Sequence, residues 1–146
     1  MQKKLNYTNE DLENDVKLLA STIKDEGFDL ILGLARGGLV PAIRLSHLLN
    51  LPMYAVNYSL KDENRHEHFD SAVKHIPDFV NKKILVVEDI ADSGKTLEEV
   101  FSQHLDGLDA KSAVLIFKPR TSCFRPKYVA TILMSDDWVD FHWESK

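Results

Sequence analysis

Ile84-Leu85-Val86-Val87-Glu88-Asp89-Ile90-Ala91-Asp92-Ser93-Gly94-Lys95-Thr96 is the stretch whose reading decides the fold. Residues 84–87 form an apolar run too short for a helix and suited to a strand buried on both faces, as strands of parallel sheets are. The run ends in two adjacent acids and a polar, glycine-bearing turn. A helical segment follows from Leu97 to about Leu105, so the motif reads strand, turn, helix. In such a turn Gly94 permits a tight bend, Ser93 and Thr96 bring hydroxyls, and the helix start presents unpaired N–H groups at the positive end of its dipole. Together these make a phosphate cradle. The plainer alternative is that Asp92 or Ser93 only caps the helix.

Spacing excludes two other phosphate motifs. A Walker A loop needs glycine five positions before Gly94, where Asp89 stands, and the dinucleotide fingerprint needs glycine two positions after Gly33, where Ala35 stands. Glu88 and Asp89, at the end of a buried strand, must be solvated, metal-bound or hydrogen-bonded to hydroxyls. Vicinal ribose hydroxyls and Mg²⁺ are natural partners for such hard oxygens.

Working outward, residues 29–34 form a second buried-strand run that ends in an Arg36-Gly37-Gly38 turn. Residues 39–50, with Ile43, Leu45 and Leu48 on the apolar side, predict a helix feeding a strand over 53–58, which is a βαβ unit. Near the N-terminus Thr8 and Asp11 suggest a capping pair for a helix whose apolar face is Leu12, Val16, Leu19 and Ile23, stopped by Gly27. Residues 112–117 and 128–134 add two more strands. The alternation predicts an α/β fold, a mostly parallel, doubly wound sheet flanked by helices. Ligands of such sheets settle at the carboxyl ends of the strands, so both glycine-bearing turns should face one cleft. Two regions stand apart: residues 59–79, charged and without apolar periodicity, read as a long mobile connection, and the tail, 135–146, with both tryptophans among acids, is not expected to be core strand.

The 146 residues are 44% hydrophobic and 28% charged, with 18 basic against 23 acidic side chains, a net charge of −5. That balance argues against a broad nucleic-acid-binding face, although a small basic pocket for one phosphate ligand would barely alter it. A chain of this length buries a sizeable core without staples, and no linker or repeat marks a second domain. Cys123 is the only cysteine, which rules out an internal disulfide and fits a reducing cytosol. No apolar run approaches the ~20 residues that span a bilayer. A cytoplasmic protein without membrane partners is therefore expected.

ILVVEDIADSGKT, residues 84–96, resembles the phosphoribosyl-diphosphate-binding signature of the type I phosphoribosyltransferases. LGLARGGLVPA, residues 32–42, is similar to that family's first phosphate loop. Residues 116–119 and 137–143 resemble the purine-binding strand and C-terminal hood of bacterial xanthine-guanine and hypoxanthine phosphoribosyltransferases. The resemblance runs from Asp29 onward and is weakest over 59–79. It implies the type I fold as one domain over 1–146, with the hood formed mainly by 135–146, and a dimer or tetramer of identical chains.

The resemblance also implies site roles. Asp92, Ser93, Gly94, Lys95 and Thr96 would hold the 5′-phosphate; Glu88 and Asp89 would hold the ribose hydroxyls, with Asp89 near Mg²⁺. Ala35, Arg36 and Gly37 would approach the diphosphate, and the Ala35-Arg36 bond would be a cis non-proline peptide. Many relatives carry serine at the position of Ala35, so a hydroxyl contact there is lost. Lys118 would donate to the oxygen at purine C6, Trp138 would stack on the base, main-chain carbonyls near Val139 would face C2, and Asp92 would lie near N7. The implied reaction is transfer of a phosphoribosyl group to N9 of a 6-oxopurine, with residues 59–79 closing over the reacting centre. A regulatory module that binds phosphoribosyl diphosphate without turnover, or an enzyme for another acceptor, are the alternatives. His66 and His68, lacking a third ligand of suitable spacing, do not read as a metal site, and Cys123 has no recognisable catalytic setting.

Overall fold

The computed structural model describes residues 2–144. Five strands, β2 (Leu30–Ala35), β3 (Met53–Asn57), β4 (Ile84–Ala91), β5 (Ala110–Phe117) and β6 (Tyr128–Ile132), form one sheet in the order β3-β2-β4-β5-β6. Every neighbouring pair is parallel. The apolar runs are explained by this burial, because successive residues serve opposite faces. Ile31, Leu85 and Val87 join one core with α1 (Asn9–Ile23) and α2 (Leu39–Leu49), whereas Leu30, Leu32, Ile84 and Val86 join a second core with α3 (Arg65–Val73) and α4 (Lys95–Gln103). The doubly wound α/β sheet is thus as the sequence implies.

The helices are placed by local chemistry. Thr8 Oγ1 accepts from Asp11 N at 3.2 Å while Asp11 Oδ2 accepts from Thr8 N at 2.9 Å, closing the capping box that starts α1. Leu12, Val16, Leu19 and Ile23 are all buried, each worth roughly 1.5–3 kcal/mol relative to exposure, so this stripe holds α1 on the sheet. A Cβ built on Gly33 would lie 2.8 Å from Ala42 Cβ, so glycine there lets α2 sit close against β2 and aims its N-terminus at the strand ends.

Two expectations are corrected. The tail contains a strand, β7 (Trp138–Phe141), which pairs in parallel with β1 (Lys4–Tyr7) as a separate two-stranded sheet. Val139 and Phe141 point into the first core and are buried. Both ends of the chain therefore meet in this small sheet, and residues 145 and 146 of the expected hood span lie outside the described residues. The 59–79 connection is not structureless either: it contains α3, in which Phe69 is buried, then the buried Ile76, and it runs into a 3₁₀ turn, Phe79–Asn81. Phe69 stacks on His104, centroids 4.3 Å apart. One anchor ring and a few ion pairs order this helix, which is why no apolar stripe announces it.

Candidate active site

The sheet order reverses between β2 and β4, where chains leave in opposite directions and a crevice opens at the strand ends. The turn after β2 and the acids of β4 meet there. Asp89 is buried, and its Oδ1 accepts from Ile90 N at 2.8 Å; Glu88 Oε1 accepts from Asp89 N at 3.0 Å. A Cβ at Gly37 would overlap the Asp89 carboxylate, so this glycine is what allows the Arg36-Gly37 turn to lie against the acid. The Ala35-Arg36 peptide is cis.

Burial, and then the adjacent Asp89 charge, push the Glu88 carboxyl well above the usual range. Burial likewise raises Asp89. Glu144, from the tail, joins them: burial and the Asp89 charge raise its carboxyl, while Arg36 pulls it down. Three carboxyls held together against their own repulsion are what a cation or a set of hydroxyl donors would relieve. Among the described residues no group of three or more His, Cys, Asp or Glu side chains is arranged to enclose a metal ion by itself. Such a cation would take most of its ligands from substrate and water, as Mg²⁺ commonly does.

The turn after β4 supplies the second part. Gly94 adopts φ +77°, a conformation that favours glycine, and α4 starts at the next residue. First-turn N–H groups of α4 have no preceding helical carbonyl to engage, and a cavity of about 200 Å³ opens between Glu88 and Leu97. The loop after β5 backs this cradle: Thr121 Oγ1 donates to Asp92, 2.9 Å from both its carbonyl oxygen and Oδ1, and Cys123 N donates to Ser93 O at 2.8 Å. Ser122 and Phe124 leave no room for a side chain at Gly94.

Lys118 links cradle to hood. It is only 3% exposed, its Nζ donates to Asp137 O at 2.6 Å, and the same atom lies 3.6 Å from Asp92 Oδ2. A small cavity of about 120 Å³ lies between Asp89, Ile90 and Asp92 on one side and Trp138, Val139 and Phe141 on the other. A wider one, about 500 Å³, is bordered by Lys118, Arg120 and Thr121. Trp138 remains 57% exposed, with its N donating to Lys3 O at 2.7 Å. On the opposite side a cavity of about 640 Å³ lies among Ala35, Arg36, Thr96 and residues 57–61.

Glu88, Asp89, residues 92–96, residues 35–37, Lys118, Trp138 and Val139 thus border a series of neighbouring cavities. Glu144, Thr121 and the Asp137 carbonyl had no signal in the sequence, since each is brought in by tertiary contacts alone. His66 and His68 stand away from these cavities' borders: His66 Nδ1 lies 2.9 Å from His104 Nε2, and His68 Nδ1 lies 2.8 Å from Asp62 Oδ2.

The glycine-bearing turn after β4, the acid pair and the Arg36-Gly37 turn thus lie together at the strand ends of a doubly wound sheet. Residues 6–146 match the family model described as the phosphoribosyl transferase domain. The chain belongs to the phosphoribosyl transferase family. It is 30% identical over 142 residues to a xanthine-guanine phosphoribosyltransferase of Cereibacter sphaeroides, covering 91% of this chain and 82% of that one. Its likeness to the xanthine-guanine phosphoribosyltransferase of Roseobacter denitrificans is 26% over 146 residues, 91% and 81% of the two chains. Among solved structures, a purine phosphoribosyltransferase from Pyrococcus horikoshii superposes with a TM-score of 0.79 at 31% identity, covering 99% of this chain and 96% of that chain. Among the described residues no helix is long and apolar enough to cross a membrane.

Proposed function

We propose that this chain transfers the 5-phosphoribosyl group of phosphoribosyl diphosphate to N9 of a 6-oxopurine, xanthine, guanine or hypoxanthine, releasing diphosphate, a purine-salvage reaction. The whole chain acts as one domain in this reading, with the hood over the base. The observation that carries it is the position of Lys118: a buried ammonium between Asp92 of the cradle and the Asp137 carbonyl of the hood. A cationic donor at that junction suits a carbonyl oxygen at C6 and disfavours the amino group of adenine.

The 5′-phosphate is received by residues 92–96, whose helix-start N–H groups need an anion. Glu88 and Asp89 accept from the ribose 2′- and 3′-hydroxyls, which relieves the repulsion of their buried charges. Arg36 and the neighbouring N–H groups attract the diphosphate. Asp89 is the protein group that would hold Mg²⁺ beside the substrate. Bound there, the ion supplies charge stabilisation to the departing diphosphate. Trp138 covers the base, the main chain near Val139 meets C2, and Asp92, held by Thr121, orients N7 and its proton. Its carboxylate acts electrostatically, on the charge that develops at the base.

As the C1–O bond to diphosphate breaks, the ribose becomes oxocarbenium-like. Positioning of N9 and charge stabilisation then supply most of the acceleration. The test is formation of nucleotide from phosphoribosyl diphosphate and each of guanine, xanthine, hypoxanthine, adenine and uracil. Nucleotide from at least one 6-oxopurine and none from adenine or uracil is expected. Nucleotide from uracil alone would move the acceptor to a pyrimidine, and none from any base would favour a binding module.

A further inference from the structure

The 640 Å³ cavity beside Arg36 is walled on its far side by Tyr58, Ser59, Leu60 and Lys61. This wall belongs to no regular element, yet it is tied to one carboxylate on α4. Tyr58 Oη donates to Glu99 Oε1 at 2.5 Å. Arg65, the first residue of α3, donates from Nε to Glu99 Oε1 at 2.5 Å and from Nη2 to Oε2 at 3.3 Å. Its remaining nitrogen, Nη1, donates back into the wall, to Asp62 O at 3.0 Å and Leu60 O at 3.4 Å. Contacts therefore run from Glu99 through one guanidinium to the carbonyls that shape residues 60–62.

Both members of the ion pair are largely sheltered, with side chains 21% and 23% exposed. Arg65, then Tyr58, hold the Glu99 carboxyl down at about 2, so it is charged at every working pH. A bidentate, charge-assisted pair fixes geometry as well as energy. Glu99 lies one turn beyond Lys95 and Thr96, on the helix whose N-terminus forms the phosphate cradle. Wall and cradle are consequently mounted on the same rigid element.

We propose that Glu99 is a positioning residue: by pinning Tyr58 and Arg65 to α4 it holds residues 58–62 as a fixed wall over the reacting centre. Glu99 does not touch the cavity lined by this wall. The inference rests on the transfer reaction proposed above, and adds what keeps water out of it. With the wall loosened, water competes with the purine: its oxygen bonds to C1, diphosphate leaves with the electron pair of the C1–O bond, and the surplus proton passes to solvent. Ribose 5-phosphate and diphosphate then appear without nucleotide.

The test compares wild type with Glu99→Ala, Arg65→Ala, the double variant, Glu99→Gln, and Glu98→Ala as a control on the exposed side of α4. For each, nucleotide, ribose 5-phosphate and diphosphate are quantified, together with kcat, affinity for ribose 5-phosphate and thermal midpoint. Wild type and Glu98→Ala should form one nucleotide per diphosphate. Glu99→Ala and Arg65→Ala should lose roughly 10- to 100-fold in kcat, the penalty of a misplaced reacting group, and release diphosphate in excess of nucleotide. Ribose 5-phosphate affinity should be unchanged, since the cradle is intact, and the double variant should be no worse than either single one. Glu99→Gln, which keeps an acceptor for Tyr58 but loses the charge, should fall between.

A wild-type product ratio and rate in Glu99→Ala overturns the proposal, as does full additivity in the double variant. Should Glu99→Ala not fold, Glu99→Gln and Arg65→Lys carry the test, and a wild-type ratio in both overturns it. If wild type makes no nucleotide from any base, the transfer reading itself has failed. If wild type transfers normally and the variants match it, only the role of Glu99 has failed.

Discussion

Gly37→Ala isolates the contact that joins the two halves of the crevice. Gly37 has no positive φ, so alanine is conformationally permitted and only the space decides. An added Cβ would overlap Asp89 Oδ2 and come 2.7 Å from Asp89 Cγ and 3.2 Å from Oδ1, where ordinary contact is 3.4–4 Å. Asp89 cannot swing away freely, because it is 6% exposed and its Oδ1 is held by Ile90 N. Either the carboxylate or the Arg36-Gly37 turn must shift by ~1 Å, a displacement that costs about 10²-fold in kcat/KM, or ~2.7 kcal/mol of transition-state stabilisation. Overpacking costs a further ~1–3 kcal/mol of stability, which at about 2–4 °C per kcal/mol lowers the thermal midpoint by ~2–12 °C. The assay is a double-mutant cycle in midpoint and kcat/KM with Asp89→Ala, which removes the atoms that the new methyl meets. The midpoint loss caused by Gly37→Ala should largely vanish in the Asp89→Ala background. Equal losses in both backgrounds, or a Gly37→Ala protein with wild-type activity and midpoint, would refute the reasoning.

Other predictions address the acids, the base platform and pH. Glu88→Gln with Asp89→Asn should cut turnover by roughly 10²-fold or more without lowering the midpoint of the ligand-free protein. Both carboxyls are raised in the fold, so wild-type stability from them is present at low pH and lost as pH rises; the amide variant should gain on wild type as pH climbs above the ordinary carboxylate range. Trp138→Ala should raise the purine KM, since a lost base-stacking contact is worth about 1–3 kcal/mol, and leave the KM for phosphoribosyl diphosphate alone. Trp138 is 57% exposed, so the midpoint should hardly move, and unfolding of the variant would show that its role is packing. Burial, then the neighbouring His66, lowers the His104 imidazole below the usual histidine range. A depressed histidine favours the neutral folded form, so that stability is present above about pH 6.5 and lost as pH falls toward the folded value. Denaturant unfolding at pH 7.5 and 5.5 should show a smaller acid loss for His104→Gln than for wild type; identical losses would exclude His104 as its source.

The five-stranded sheet is legible because its strands are buried on both faces and their apolar runs need no partner to be recognised. The glycine-bearing turn and the acid pair are equally visible as local features, being contiguous in the chain and chemically conspicuous at the end of β4. The hood is different. β7 has only four residues, and its pairing strand β1 lies at the other end of the chain, so Val139 and Phe141 become core residues only through a contact that no local pattern encodes. Helix α3 is hidden for a related reason: Phe69 is its one buried residue, and the charged side chains that read as solvated loop are engaged, Arg65 with Glu99 and His66 beside His104. Lys118 illustrates a middle case. Its place after β5 is readable, whereas its burial between Asp92 and the Asp137 carbonyl depends on the hood folding back.

The central claim is that cradle, acid pair and hood form one site for a purine nucleotide and its precursors. Its most direct test is a crystal structure of the protein bound to a 6-oxopurine nucleoside 5′-monophosphate. The account places the 5′-phosphate against the N–H groups of residues 92–96, the ribose hydroxyls at Glu88 and Asp89, and the base beneath Trp138 with its C6 oxygen at Lys118 Nζ. A nucleotide bound elsewhere, or bound at the cradle with its base directed away from Lys118 and the hood, would contradict it.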